Sequence, residues 1–460
     1  MSEQPAQLQS DALGIGESVV MGVAGTAPAF SLAATTAALI AAVGSLSAGS
    51  LLYCGIIMFG VTFAFMHLNR VIANAGASYS WVAQVFGPAA GFIAGWSLLV
   101  ASAVFMVSGT TPAATATLML ISPAYAANPL AISVVAAIWL TLVSLVIVRG
   151  IKPTSYSQVA MTVIEVGVLV ILIIAALIEY GSHPVHPMSW RSYYLTEFTP
   201  TLFATGALTA LFFFWGWDVT LNLTEETRDA ANAPGRSAVS AMIIVALLFV
   251  LFVLACQLVL TDAEIAQSST NVVFALARKL LPDPWSYLAI VAVMVSTVGT
   301  LETQILQFTR TMYAKGRDGA LHPRYAILHK TWQTPWVATA LITGIGLVLI
   351  FLSSLMPSVG ELIKVSVNAI GFQVACYYSL AGFACAWHFR STALSSPDRF
   401  VFLFLWPAFS AVFLVFIAIY SVPTFDLVTN IVGVGGILVG IIPFALNRMR
   451  RRKSQAQAGA

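Results

Sequence analysis

The chain has 460 residues, of which 59% are hydrophobic and only 8% are charged, and its formal net charge is +3. Soluble globular proteins carry about 25% charged residues, so this composition excludes a soluble protein and predicts a chain embedded mostly in a lipid bilayer. No residues have the spacing of metal ligands. We therefore expect no metal and no cofactor. We also expect no nucleic-acid partner, because the distribution of the positive charges follows from membrane topology, as argued below.

Apolar runs along the chain predict about twelve transmembrane helices, because about 20 apolar residues suffice to cross the hydrocarbon core. The predicted spans are residues 14–43, 51–68, 86–120, 131–148, 157–180, 201–223, 238–260, 286–312, 336–355, 362–388, 401–422 and 428–446.

Positive charge predicts the orientation of these spans. If the N-terminus is cytoplasmic, all of the 21 Lys and Arg residues except four lie in inner loops or in the C-terminal tail. Such a bias follows the positive-inside rule. It predicts a multi-pass protein of the cell membrane with both termini in the cytoplasm. The four exceptions are Arg191, Arg278, Lys279 and Lys364.

The first span contains an irregular stretch, "ESVVMGVAGTAPAFSLAATT", in which Gly22, Gly25 and Pro28 fall close together. Pro28 cannot donate a backbone hydrogen bond and clashes with the preceding turn. This pattern predicts an unwound point near residues 24–28. The alternative is a simple kink, or a close helix contact through small residues.

The sixth span contains a second irregular stretch, "FFFWGWDVTLN", with Gly216 between two tryptophans and Asp218 directly after them. Glycine weakens a helix by about 1 kcal/mol relative to alanine, and a carboxylate is costly in hydrocarbon. Asp218 can cap the second half of the helix, attract a cationic group, or do both.

Spans one and six occupy corresponding positions if the first ten spans form two repeats of five. Paired interruptions of this kind mark transporter binding sites. Half-helix N-termini there present N–H groups to anions, and free carbonyls present the opposite charge. A zwitterion that carries a carboxylate and an ammonium group would suit such a site.

The chain resembles the amino acid–polyamine–organocation (APC) transporter superfamily over nearly its whole length. The motifs that carry the resemblance are "GVAGTAPA", "IANAGASYSWVAQVFGPAAGFIAGW", "FFFWGWDVTLNLTEETRDAANAPGRS" and "QFTRTMYAKGRDGALHP" followed by "TP". The third motif looks like the branch that includes bacterial amino acid and putrescine importers. The resemblance implies an all-α membrane protein with a LeuT-type inverted repeat of five plus five helices, followed by two more.

The predicted organisation has five parts. They are a cytoplasmic tail at 1–13, a first five-helix repeat at 14–180, an inverted second repeat at 201–390, two extra helices at 401–446 and a basic cytoplasmic tail at 447–460.

The resemblance also implies the roles of individual residues. The unwound part of span one would bind a substrate carboxylate through Ala24, Gly25, Thr26 and Ala27. In span six, Phe214, Trp215 and Gly216 would offer carbonyls to an amino group, and Trp217 would be an aromatic gate. Asp218, as argued above from its own position, is a further candidate for contact with the cationic group of the substrate.

One departure from the family concerns ion coupling. Several proton-coupled members have a lysine in span five, where this chain has Glu165 in "MTVIEV". The lysine-based coupling mechanism is therefore in doubt here, and Glu165 is our candidate for proton coupling. Glu302, which lies past the middle of span eight, is a candidate for substrate contact or coupling, because ionisable groups at such depth are functional by default.

The expected function is secondary active transport of amino acids or related amines, with a proton as the expected partner ion. Polyamine import and amino acid exchange without net ion coupling are the alternatives within this class. A receptor that binds the substrate without transporting it is the alternative from a different class. No enzyme is expected, because neither a nucleophile with a base nor a paired acid stands out. The sequence also lacks a phosphate-binding loop of the "GxxxxGK" type.

Overall fold

The computed structural model describes residues 7–126, 128–187, 189–268, 271–356 and 358–458. Within these residues the protein is almost entirely helical, and the only β pairing is one isolated bridge. Ten helical stretches are long and apolar enough to cross a membrane, judged by length and composition. The predicted all-α membrane fold is therefore confirmed.

The number of spans remains a prediction. The first of the ten stretches, residues 15–71, contains both of the first two predicted spans, and the helix in the sixth span is shorter than a full crossing. In the predicted tails, residues 1–6 and 459–460 lie outside the described part of the chain.

The principal helices are numbered in chain order. They are α1 (Ile15–Gly25), α2 (Pro28–Val43), α3 (Ser47–Val71), α4 (Ser78–Phe86), α5 (Pro88–Ile121), α6 (Pro129–Val148), α7 (Ile151–Tyr180), α8 (Pro200–Phe213), α9 (Val219–Asn222), α10 (Ala233–Val259), α11 (Asp262–Ser268), α12 (Val272–Leu280), α13 (Leu288–Arg317), α14 (Trp336–Ser353), α15 (Val359–Ala393), α16 (Trp406–Ser421) and α17 (Ile441–Ala458).

Two predicted spans are each divided into two helices. The first span stops at Thr26, and Ala27 takes the left-handed conformation with φ at 48° before Pro28 begins α2. Proline suits this first helical position because its N–H would lack a partner there in any case. The sixth span stops after α8, and Gly216 has a φ of 105°. Glycine adopts this conformation readily because it has no Cβ atom.

Helix α13 is the buried centre of the molecule. Every residue from Ser296 to Gly316 is buried, and the helix packs against α5, α7, α1 and α9. Helices from both interrupted spans, α1 and α9, therefore meet one polar helix. Its buried side chains include hydroxyls, amides and a carboxylate, among them Ser296, Thr300, Glu302, Gln304 and Gln307.

The segment before α1 defines one face of the bundle, which we call the N-terminal face. Leu13 forms a parallel bridge with Thr227, in the segment that follows α9. Leu8 packs with Ala75, Tyr313 and Leu328, which lie at helix ends or in loops of the same face. We call the other end of the bundle, where the loop between α7 and α8 lies, the opposite face.

Candidate substrate site

The two interruptions touch each other through their glycines. A Cβ atom on Gly25 would lie 2.8 Å from the carbonyl carbon of Gly216, and closer still to its oxygen. In the reverse direction, a Cβ atom on Gly216 would lie 2.5 Å from the carbonyl carbon of Gly25. Only two residues without side chains permit this backbone approach. The interruption in span one is therefore more than a simple kink, since it forms a contact with the second break.

The hydrogen-bonding groups of the first break are mostly satisfied inside the protein. The N–H groups of Thr26 and Ala27 donate to the carbonyls of Val23 and Ala24. The hydroxyl of Thr300 also donates to Ala24, at 2.6 Å. In this conformation the N–H groups of Thr26 and Ala27 are therefore not free to bind a substrate carboxylate.

The start of α2 is held by a carboxylate of the protein itself. Glu165 interacts with the backbone N–H of Ala29 and with the hydroxyl of Ser296. Ser296 in turn accepts the N–H of Phe30 at 3.2 Å. Because Pro28 has no N–H, the first backbone donors of α2 are the N–H groups of Ala29 and Phe30. These contacts supply both of them with acceptors. A helix N-terminus attracts carboxylates and other anions, and here the carboxyl group that lies against it comes from α7.

The second break is organised around Asp218, which is 1% exposed. The hydroxyls of Tyr377 and Tyr378 donate to its two carboxylate oxygens at 3.0 and 2.9 Å. Its side chain also contacts Gln307. Asp218 is the N-cap residue of α9, but its side chain makes no capping bond there, so this one of the two roles left open by the sequence is not seen in the structure. The two tyrosine hydroxyls hold its carboxylate on α15 instead.

An aromatic layer covers the breaks toward the opposite face. It consists of Phe30, Phe105, Phe212 and Trp215, whose neighbouring ring centroids are 5.7 to 6.4 Å apart. Phe30 also lines a cavity between α2, α5 and α13. The predicted gate residue, Trp217, lies on the other side of the break, where it packs against Phe65 and Tyr378.

Several polar atoms around the second break have no partner among the described residues. They are Nε1 of Trp217, Nε2 of Gln304 and Oε1 of Gln307, all of them buried. The carbonyls of Phe214 and Trp215 accept no hydrogen bond from the part of the chain that the structure describes. The second break therefore offers both donors and acceptors to a ligand. Sequence reasoning missed the two glutamines, because nothing in α13 marks which residue faces the break.

Glu302 lies against α7. Its carboxylate accepts hydrogen bonds from Ser157 at 3.1 Å and from Gln158 at 2.8 Å. Both partners precede Glu165 on the same helix by about two turns. Glu302 is thus placed between α13 and α7, and its polar partners do not belong to either break.

The N-terminal face is closed directly below the breaks. The carbonyl of Glu226 accepts the N–H groups of Ala12 and Leu13, and Leu13 accepts that of Arg228. The Glu226 side chain forms a bidentate ion pair with Arg310 at 2.8 and 2.9 Å. Neither side chain of this pair is more than 1% exposed. The run of charged residues in "TEETRD" is typical of a solvated helix end, but Glu226 is buried and paired.

Comparison with known proteins identifies the type of protein that carries this site. The model of the family described as "Amino acid permease" matches residues 12–445, which include both breaks and every candidate site residue. The chain belongs to the amino acid permease family. This confirms the resemblance to the APC superfamily that the motifs indicated.

Three relatives show how broad the family is. The permease is 23% identical to the serine/threonine exchanger of Bacillus subtilis (strain 168) over 341 residues, 71% of this chain and 70% of the relative. It is 23% identical to the low-affinity putrescine importer of Escherichia coli (strain K12) over 350 residues, which are 74% of this chain and 73% of the relative. The branched-chain amino acid permease of Lactococcus lactis subsp. cremoris (strain MG1363) is 22% identical to this chain over 276 residues, which are 57% of this chain and 58% of the relative. All three are named as transporters rather than enzymes.

The Asp218 network gives a first prediction for the permease. We expect Tyr378→Phe to lower the free energy of unfolding by about 1–3 kcal/mol, because a buried carboxylate loses a hydrogen bond while the ring packing remains. Thermal unfolding in detergent measures this change. Tyr420→Phe is the control, since Tyr420 is partly exposed and its hydroxyl makes no hydrogen bond within the described residues. If the two variants are equally stable, the hydrogen bond from Tyr378 to Asp218 does not stabilise the protein.

Proposed function

We propose that the permease is a proton-coupled secondary active transporter of amino acids or related amines in the cell membrane. Access to the site alternates between the two faces by movement at the two breaks. The observation that carries the proposal is the glycine contact between the two breaks. Backbone bonds close the protein on the N-terminal side of this contact, and on the other side Phe30 of the aromatic layer lines a cavity. The positive-inside bias makes the N-terminal face cytoplasmic.

The chemistry of the breaks supports a substrate that carries both a carboxylate and an ammonium group. The start of α2 attracts a carboxylate, as its contact with Glu165 illustrates. The free carbonyls of Phe214 and Trp215 suit an ammonium group, and Asp218 lies next to them as a buried carboxylate. A polyamine has no carboxylate, so it would bind only to the carbonyls of Phe214 and Trp215 and to Asp218. The relatives are named for amino acids in two cases and for putrescine in one.

Proton coupling follows from competition at the start of α2. An ionised Glu165 and a substrate carboxylate would repel each other at the same helix N-terminus. A proton taken up by Glu165 removes its charge and weakens its hold on the Ala29 N–H. The substrate carboxylate can then replace it. Binding of one proton thus accompanies binding of one substrate, and both are released together on the other side.

The variant Glu165→Gln tests this coupling. We expect proteoliposomes of the variant to lose accumulation of labelled serine driven by an inward proton gradient, while counterflow exchange of serine persists. Glutamine is neutral at every pH, so uptake should also lose its pH dependence. Labelled putrescine is the second probe, because it has no carboxylate that could compete with Glu165.

Glu179→Gln is the matched control, since Glu179 lies on the same helix but is exposed at its end. The coupling proposal is wrong if Glu165→Gln concentrates serine as well as the wild type and Glu179→Gln do. If wild-type protein binds serine or putrescine but takes up neither into proteoliposomes, the receptor alternative is correct.

A further inference from the structure

One face of α7 carries a row of buried polar side chains. Ser155, Gln158, Thr162 and Glu165 succeed one another at intervals of three, four and three residues, a spacing that places them on one side of a helix. None of the four is more than 6% exposed. We call these four residues the polar stripe.

Each member of the polar stripe has an unpaired atom. Ser155 Oγ, Gln158 Oε1, Thr162 Oγ1 and Glu165 Oε2 are buried and have no hydrogen-bond partner among the described residues. A buried polar group without a partner costs about 1–3 kcal/mol, so four in succession would destabilise α7 strongly. Such groups are normally satisfied by ordered water.

The unpaired atoms are not a general property of hydroxyls in this helix. Thr154 is as buried as its neighbours, but its hydroxyl donates to the carbonyl of Gly150 at 2.9 Å. The hydroxyl of Ser157 donates to the carbonyl of Thr154 and also contacts Glu302. The lack of partners is therefore confined to the face that leads to Glu165.

The polar stripe runs between two buried carboxylates, Glu302 beside Gln158 and Glu165 at its other end. The carboxylate of Glu302 accepts hydrogen bonds from Gln158, a member of the stripe, and from Ser157. Ser157 is partly exposed near the N-terminal face. Gln158 and Thr162 are separated by about 6 Å of helical rise, and Thr162 and Glu165 by about 4.5 Å. Hydrogen bonds between oxygen atoms span about 2.8 Å. Each interval thus has a length that one or two hydrogen-bonded water molecules can span.

We propose that the polar stripe is a hydrated proton path from the N-terminal face to Glu165, with Glu302 as the relay group at its mouth. The inference rests on the proposed function of Glu165 as the proton-coupling group. Along the path each water accepts one proton and passes another to its neighbour, so that one proton moves and only O–H bonds are exchanged.

No competing charge intervenes along this path. Glu165 faces the Ser296 hydroxyl and the Ala29 N–H, and Glu302 faces Ser157 and Gln158. Within the described chain, neither carboxylate forms an ion pair with a Lys, Arg or His side chain. The two carboxylates are thus the titratable groups of the path.

The test is Thr162→Val, which removes the central hydroxyl and keeps the shape of the side chain. Because this hydroxyl has no protein partner, the variant should fold with unchanged stability. Infrared spectroscopy follows exchange of the Glu165 carboxyl proton for deuterium, with its band assigned by its loss in Glu165→Gln. We expect exchange to slow by about tenfold, which corresponds to about 1.4 kcal/mol or one hydrogen bond.

Thr154→Val is the matched control, because it removes a buried threonine hydroxyl of the same helix that bonds to the backbone. Wild-type exchange in Thr154→Val and slow exchange in Thr162→Val would support the path. Exchange in Thr162→Val at the wild-type rate, or equal slowing in both variants, would overturn it. This readout needs no transport, so it remains decisive even if the Glu165→Gln uptake experiment contradicts proton coupling.

Discussion

Gly25→Ala is expected to abolish transport, although it adds only one methyl group. The added carbon would lie 2.8 Å from the carbonyl carbon of Gly216 and closer to its oxygen. Both neighbours are backbone atoms, so no flexible side chain can move aside. Overpacking costs about 1–3 kcal/mol and occasionally more, which shifts a conformational equilibrium by about fivefold to more than a hundredfold. The variant should therefore be unable to bring the two breaks together.

Serine counterflow in proteoliposomes measures this loss. Counterflow requires the protein to pass repeatedly through the state in which the breaks meet, and it needs no proton gradient. The result thus separates the effect of the glycine contact from the coupling role proposed for Glu165. Gly216→Ala should act at least as strongly, because Gly216 also has a φ of 105°, which strains a residue with a Cβ atom.

Gly16→Ala is the control for this pair. Gly16 lies on α1 like Gly25, but a Cβ atom there would meet no atom within 4 Å. Alanine is also the better helix former, so the control should be neutral or slightly stabilising. If Gly25→Ala exchanges serine at the rate of Gly16→Ala, the close approach of the breaks is not required for transport.

The sequence predicts both breaks because their causes are local. A proline without an N–H and a glycine at positive φ act on the chain at their own position. Glu165 is also recognisable from the sequence, since a carboxylate within an apolar run is rare. The breaks and the buried charges of a single helix are therefore predictable from its own residues.

The partners of these residues cannot be derived in the same way. Asp218 meets Tyr377 and Tyr378 from 159 and 160 residues away, and nothing near Asp218 indicates that α15 will supply its donors. Capping is a local role that the sequence could suggest for Asp218, whereas the tyrosine partners that its side chain contacts instead are remote in sequence. Glu226 likewise has the local sequence of a solvated helix end, and its true partner, Arg310, lies 84 residues further along the chain.

The largest stability effect is expected for Arg310→Met. The substitution leaves Glu226 buried without its partner, and removing one member of a buried ion pair costs about 3–5 kcal/mol. The same glutamate accepts the N–H groups of Ala12 and Leu13 through its carbonyl. Movement of Glu226 would therefore also release the segment before α1 and open the N-terminal face.

Two measurements test the effect of Arg310→Met. Thermal unfolding reports the loss of stability, and hydrogen–deuterium exchange of the Ala12, Leu13 and Arg228 amides reports the opening of the N-terminal face. A loss of about 3 kcal/mol or more raises the exchange rate of these amides by at least about a hundredfold if they open with the same free energy.

Arg317→Met provides the comparison, because Arg317 pairs with Glu225 where the two side chains are 35% and 23% exposed. Ion pairs in contact with solvent contribute about 0–1 kcal/mol, so the amides of Ala12 and Leu13 should keep their protection. The double variant Glu226→Met with Arg310→Met should regain stability, since replacing both members of a buried pair with apolar residues is often neutral. If Arg310→Met changes amide exchange no more than Arg317→Met does, the buried pair does not close the N-terminal face. Closure would then depend on the backbone pairing of Leu13 with Thr227 alone.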